Sequence, residues 1–161
     1  MRYFILILFT VVSISTNGQE IKMNPDTGMY ESQGVVEIEG KSKDELFNSA
    51  LEWIVLNYNS ANDVIQFKDK ESGKIILKGN YTLNLYGKTE STIGHTLLLE
   101  FKEGKFRNTF SGFTYRDKYS GYSTFEEEQD KHIITTTEEL IHLSIEDITR
   151  YIRKKSKESE W

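Results

Sequence analysis

The residue types that carry most enzymatic chemistry are few in this chain, and their spacing matches no catalytic motif. The chain has no cysteine and three histidines, His95, His132 and His142. The histidines form neither an H-x-x-x-H nor an H-E-x-x-H pair, the spacing that brings two imidazoles to one zinc ion. Because a metal site requires an assembled cluster of ligands, the sequence predicts no metal site and no cofactor.

Two further motifs are only partly matched. Asp69, Glu71 and Gly73 resemble the start of a calcium loop, but position twelve of that loop is Asn80, where an EF-hand requires a glutamate. We therefore interpret the segment as a hairpin turn. The chain also lacks the G-x-S-x-G sequence of a serine hydrolase and the glycine-rich loops that bind phosphates, so no catalytic residue is predicted.

An acidic run, residues 126–130, precedes His132. Carboxylates beside an imidazole could support a small carboxylate- and histidine-dependent hydrolase with its site near the loop 126–132. The simpler interpretation is a solvated acidic loop, because most charge runs are solvated. The sequence predicts a long exposed loop over residues 117–131.

Aromatic residues form the more distinctive candidate site. If the strand before this loop is regular, Phe113 and Tyr115 lie on the face opposite Phe106 and Phe110. Helices can cover only one face of the sheet, so some of these rings would be exposed. The predicted binding residues for a glycan or protein partner are Tyr115, Tyr119, Tyr122 and Phe125. A bulge at Gly112 is the alternative, and it would bury the rings instead.

The elements that position these residues follow from hydrophobic periodicity. Alternating residues predict five strands: Tyr30–Glu39, Val64–Lys68, Lys74–Tyr86, His95–Lys102 and Lys105–Arg116. Ser42 and Glu45 form a capping box that predicts a first helix, and a second begins among Thr135–Thr137. The predicted fold class is α+β, a two-layer antiparallel sheet of about five strands covered on one face by two helices, in the order β-α-β-β-β-β-α.

The stretch from Gly34 to Gly79 carries a family resemblance. It contains G-V-V-E-I-E-G-K-S-K-D-E-L-F, then Trp53-Ile54, then V-I-Q-F-K-D-K-E-S-G-K-I-I-L-K-G. These segments resemble the exported bacterial domain of unknown function family 4468, which is described as having a TATA-box-binding-protein-like (TBP-like) fold. The resemblance covers roughly residues 30–120 and implies the fold and export. It implies no activity, because fold alone does not determine function.

The first residues predict export. Met1-Arg2 supplies a positive charge, Tyr3–Ile14 is an uncharged apolar run, and Ser15–Gly18 is small and polar, the order typical of a secretory signal peptide. The apolar run is shorter than the roughly 20 residues that span a bilayer. We therefore expect cleavage after Gly18 and no stable membrane anchor afterwards, which places the protein in the periplasm or outside the cell.

The remaining chain is predicted to form one domain. Residues 19–28 are expected to be a flexible leader, 29–155 the single domain, and 156–161 a frayed tail. The net charge of the whole chain is −5, and loss of Arg2 with the signal makes it more acidic. Nucleic-acid binding needs a basic face, so no nucleic acid partner is expected. The sequence thus favours a non-enzymatic binding or structural module of the cell envelope, with an envelope protein or a glycan as partner.

Overall fold

The computed structural model describes residues 19–58, 60–85, 89–117, 121–125 and 131–158. The predicted signal peptide, residues 1–18, lies outside the described residues. The elements in chain order are β1 (Lys22–Met23), β2 (Tyr30–Glu37), α1 (Lys43–Asn57), α2 (Ala61–Val64), β3 (Ile65–Asp69), β4 (Lys74–Leu85), β5 (Thr89–Lys102), β6 (Lys105–Asp117), β7 (Gly121–Thr124) and α3 (Lys131–Glu158).

All strand pairs are antiparallel, in the order β1-β2-β6-β5-β4-β3, and β7 pairs with β6. Helices α1 and α3 pack against one face of this sheet. On α1, the Phe47 ring meets Phe101 of β5 with centroids 5.8 Å apart, and Ser144 of α3 hydrogen bonds to Tyr81 of β4. The two-layer α+β prediction is therefore confirmed. The described sheet has seven strands rather than about five, because two short strands lie in segments predicted to be irregular.

Helix α1 begins as the sequence predicts. The Ser42 side chain accepts a hydrogen bond from the Glu45 backbone N–H, and the Glu45 carboxylate accepts one from the Ser42 N–H. This capping box satisfies two backbone donors of the first turn. The buried face includes Trp53, whose indole N–H donates to Asp147 of α3 at 2.7 Å. That bond links the two helices over the core.

Helix α3 is longer than predicted at both ends. It begins at Lys131 instead of Thr135–Thr137 and reaches Glu158, which lies within the stretch 156–161 predicted to be a frayed tail. The threonines do not cap the helix, since the Thr137 hydroxyl donates within the helix to the Ile133 carbonyl. The predicted isoleucine stripe is buried, at Ile141, Ile145, Ile148 and Ile152.

Strand β5 also begins earlier than predicted. It was expected to begin at His95, but Thr89 already pairs with Leu85 of β4. Ser91 and Ile93 are both buried, at 1% and 0% exposure. Because the buried Ser91 is polar, the alternation of apolar and polar residues that indicates a strand is missing at the start of β5.

The start of the segment 19–28, which was expected to be a flexible leader, contacts the domain. Ile21 is buried, and its backbone N–H donates to the Glu138 carboxylate of α3 at 2.8 Å. The Gln19 amide donates to the side chain of buried Asn108 at 2.8 Å. Within the described residues, no helix is long and apolar enough to cross a membrane.

Candidate binding surface on the sheet

A bulge in β6 decides which face the strand aromatics occupy. Gly94 pairs with Thr114, and Thr96 pairs with Ser111, so two residues of β6 lie opposite one of β5. Gly112 occupies the bulge with φ of 60°, a conformation that favours glycine. The extra residue reverses the alternation, and the side chain of Phe113 therefore points to the core, as those of Phe106 and Phe110 do. Of the two alternatives, the bulge is the one the structure contains.

The bulge gives two of the predicted binding residues roles within the domain. Tyr115 is half-buried against the core, and its hydroxyl lies 3.1 Å from the Ser91 hydroxyl. Phe125 is 8% exposed, with its ring centroid 5.3 Å from that of Phe113. The rings of Tyr115 and Phe125 thus pack within the protein instead of forming an exposed patch.

The other two predicted binding residues are less fully described. Tyr119 lies outside the described residues. The backbone of Tyr122 pairs with Arg116, which places it in β7 at the edge of the sheet. Their role as contact residues stays a prediction.

Apolar side chains also lie on the other face of the sheet, which α1 and α3 leave open, although Val55, Leu56 and Leu143 on the helices are exposed as well. Phe67 on β3 pairs with Ile76 on β4, which pairs with Leu98 on β5. We call these three the apolar row. Phe67 is 47% exposed, whereas Ile76 and Leu98 are half-buried. The row continues through Thr109 of β6 to Gln33 of β2, so it crosses the sheet with its apolar end at the β3 edge.

A charged row lies beside the apolar row, one step along the strands. Glu100 on β5 is flanked by Lys74 on β4 and Arg107 on β6. The Glu100 carboxylate lies 3.6 Å from the Lys74 ammonium and accepts a 2.7 Å hydrogen bond from Nε of Arg107. One carboxylate therefore pairs with two cations. Sequence patterning alone does not reveal this arrangement, because its members come from three strands.

Hydroxyl and amide side chains occupy much of the remaining open face. Their positions follow from the register of β4, β5 and β6. They are Asn80, Thr82, Thr92, Thr96, Ser111 and Thr114. These side chains can exchange hydrogen bonds with a polar ligand, but none of them is a strong acid or base.

The three histidines considered for catalysis lie in separate parts of the structure. His95 is buried, stacked on Tyr81 with centroids 4.4 Å apart, and burial lowers its pKa to about 4. His142 pairs with Glu146 on the surface of α3, and His132 is exposed near the start of the same helix. The acidic run 126–130 lies outside the described residues. No group of three or more metal-ligating side chains occurs among the residues that are described.

A shallow groove at the start of α1 is lined by side chains that pair with one another. Glu45 accepts hydrogen bonds from Lys41 and from Ser42, and these bonds lower the pKa of its carboxyl to about 2. Across the groove, Glu103 accepts from the Lys43 backbone N–H at 3.1 Å. The helix N-terminus therefore uses its donors internally.

Comparison with known proteins agrees with this architecture. Residues 33–116, just over half of the chain, match the family model "Domain of unknown function (DUF4468) with TBP-like fold". No curated protein matches the sequence significantly.

Two solved structures are similar to this chain. A TBP-like protein from Parabacteroides distasonis ATCC 8503 superposes with a TM-score of 0.69 at 17% identity, covering 83% of this chain and 97% of that one. A DUF4468 family protein from Bacteroides ovatus ATCC 8483 gives a TM-score of 0.66 at 12% identity, covering 82% and 90%. At these identities the likeness concerns the fold.

Proposed function

Because this chain belongs to the DUF4468 family of domains of unknown function with a TBP-like fold, we propose a function from its surface: it is a non-enzymatic binding module of the cell envelope. The open face of the sheet carries the contact, and the partner is an envelope protein or a glycan. The module acts after export, in the periplasm or outside the cell.

The apolar row is the observation that carries this proposal. Ile76 and Leu98 lie in the middle of the sheet on the face opposite the helices, where no described element packs over them. Phe67 extends the row to the edge and leaves nearly half of its surface in water. Contiguous exposed apolar surface rimmed by polar side chains is typical of an interaction site.

The arrangement of ionisable groups supports binding in preference to catalysis. An acid-base site needs titratable side chains that converge on a cleft. Here His95, whose pKa is lowered by burial, is enclosed by the core, and the charged row forms ion pairs on the open face. Such a row can orient a partner.

Export with cleavage after Gly18 is supported by the order of positive charge, apolar run and small polar residues in the first eighteen positions. Gln19, the residue after that position, makes a side-chain hydrogen bond to Asn108, and Ile21 is part of the core. These contacts would stay with the protein after such a cut.

Capture from an envelope fraction tests the proposal. We expect Phe67→Ser to lower the yield of any captured partner at least five-fold, because the largest apolar side chain of the open face is removed. The matched control is Leu143→Ser, which removes a similarly exposed apolar side chain (58%) from α3 on the opposite side. Equal yields from both variants and the unaltered protein would contradict a role for the open face.

A further inference from the structure

We infer that the occupant of the open face is a polysaccharide that carries carboxylate groups, an inference that rests on the proposed function. The open face holds the apolar row, cations without ion-pair partners, and a field of hydroxyl and amide groups. A polyuronic acid would present a counterpart to each: sugar ring faces, carboxylates and ring hydroxyls.

The charge of the open face differs in sign from the charge of the chain. The whole chain has a net charge of −5, yet basic side chains predominate on this face. Among the described side chains of β2 to β6, the strand registers place six there, all exposed: Lys74, Lys78, Lys102, Lys105, Arg107 and Arg116. The acidic side chains that these strands place on the face, among those described, are Glu31, Glu37, Asp69 and Glu100, of which Glu37 is exposed and the other three are partly buried.

Three of these cations are available to a ligand. Lys78, Lys102 and Lys105 form no ion pair with any residue in the described ranges. Lys102 and Lys105 also lie directly opposite each other in the β5–β6 ladder. Glu37 lies opposite Lys105 on the other side, in the register of β2 and β6, so the three side chains together keep one positive charge for an anionic ligand. Glu100, shared by two cations, leaves a further positive charge beside the apolar row.

The spacing of these groups suits an extended polymer. Side chains two residues apart on a strand are separated by about 7 Å, and neighbouring strands by about 5 Å. Lys78 lies one step from the apolar row on one side, and Lys74 one step on the other. A chain lying along the strands would thus meet cations on both sides of an apolar stretch. Phe67 offers a partly exposed ring at the edge for stacking against a sugar.

The hydrogen-bonding groups of the open face suit a glycan. Around Lys78 the face presents Asn80, Thr82, Thr96 and Ser111, which are short side chains that both donate and accept. Ring hydroxyls also donate and accept, so each can pair with such a side chain. The carboxylate side chains of an acidic peptide, by contrast, can only accept.

The inference is tested by measuring the affinity of the protein, as it is released from producing cells, for polygalacturonate. Neutral dextran is the control polymer. We expect measurable affinity for polygalacturonate, none for dextran, and at least ten-fold weaker binding at 0.5 M than at 0.05 M NaCl, because salt screens exposed charges. Lys78→Gln and Lys105→Gln should each weaken binding two- to five-fold, the range for an exposed ion pair. The control Lys131→Gln, at the exposed start of α3, should leave affinity unchanged.

The outcomes separate this inference from the proposed function. Three outcomes would overturn the inference of a carboxylated polysaccharide. Dextran could bind as tightly as polygalacturonate, the α3 control could lose as much affinity as the Lys78 and Lys105 variants, or polyglutamate or duplex DNA could bind more tightly. The inference also fails if the protein does not bind polygalacturonate while Phe67→Ser still lowers the yield of envelope capture. The open face would then remain the contact for another partner. If Phe67→Ser changes neither assay, the proposed function fails.

Discussion

At the scale of single residues, His95 is an ionisable side chain that the structure places in the core. It is 4% exposed and lies between Tyr81 and Phe110, with ring centroids 4.4 and 5.3 Å away. On the opposite side, a Cβ at Gly79 would approach its Nε2 to 2.9 Å. Burial disfavours the charged imidazolium and lowers the pKa of His95 from 6.5 to about 4. The folded protein therefore holds a neutral histidine at neutral pH.

Acid should destabilise the protein through this one residue. The folded-state pKa lies below the unfolded value, so the unfolded chain binds a proton first as the pH falls. Stability is complete above about pH 6.5 and declines toward pH 4, with a loss of about 2 kcal/mol at pH 5 relative to pH 7.5. Urea unfolding at the two pH values measures this loss directly.

Two variants assign the effect to His95. His95→Phe keeps an aromatic ring beside Tyr81 but cannot be protonated, so its stability should change by less than half as much between pH 7.5 and 5. His142→Gln removes an exposed imidazole paired with Glu146 and should retain the dependence. An unaltered pH dependence in His95→Phe would show that another group is responsible.

The bulge at Gly112 is the decisive feature at the scale of elements, because it divides β6 into two halves of opposite alternation. Before it, Phe106 and Phe110 face the core, and after it Phe113 and Tyr115 do so. The same position separates the partners of β6. Strand β2 pairs up to Phe110, and β7 pairs from Thr114 onward. A regular strand would place the two later rings on the open face and change the character of the binding surface.

Substitution of Gly112 tests how much a glycine at the bulge contributes to the free energy of unfolding. Gly112→Ala should lower the free energy of unfolding by about 1–2 kcal/mol, because φ of 60° is unfavourable for a residue with a Cβ. The nearest atom to a Cβ there is Thr96 Oγ1, at an ordinary 3.5 Å, so sterics add little. Gly112→Asn should lose less, since asparagine tolerates this conformation. Equal losses in chemical denaturation would mean that backbone strain is not the cause.

Much of the element order could be predicted from the sequence, and the failures share a physical origin. The capping box at Ser42 and the isoleucine stripe of α3 are local signals, and both are present. The early start of β5 and the short strands β1 and β7 depend on pairing with distant residues, which local periodicity does not contain. The bulge was one of two alternatives because glycine permits it without requiring it.

The candidate site was less predictable than the fold for the same reason. Phe67, Ile76 and Leu98 are far apart in the sequence, and only the registers of three strands place them in one row. The sequence alone shows that the stretch 115–125 is rich in tyrosine. Composition does not reveal that Tyr115 bonds to Ser91 or that Phe125 packs on Phe113.

At the scale of the whole molecule, the two faces of the sheet differ in what covers them. One face is covered by α1, α3 and the segment from Gln19 to Met23, and the core lies between them and the sheet. The other carries the apolar row and three lysines that form no ion pair with a described residue, and no described element lies over it. The central claim of the proposed function is that this second face, formed by β2 to β6, contacts a partner.

Photo-crosslinking in producing cells is the most direct measurement of that claim. Benzoylphenylalanine placed at Leu98, in the apolar row, should form covalent adducts with a partner polymer on irradiation. The excited ketone of this residue reacts only with C–H bonds in direct contact with it. The same residue placed at Leu143, exposed on α3, should give no adduct above background. Adducts at Leu143 with none at Leu98 would contradict the account and assign the contact to the helical side.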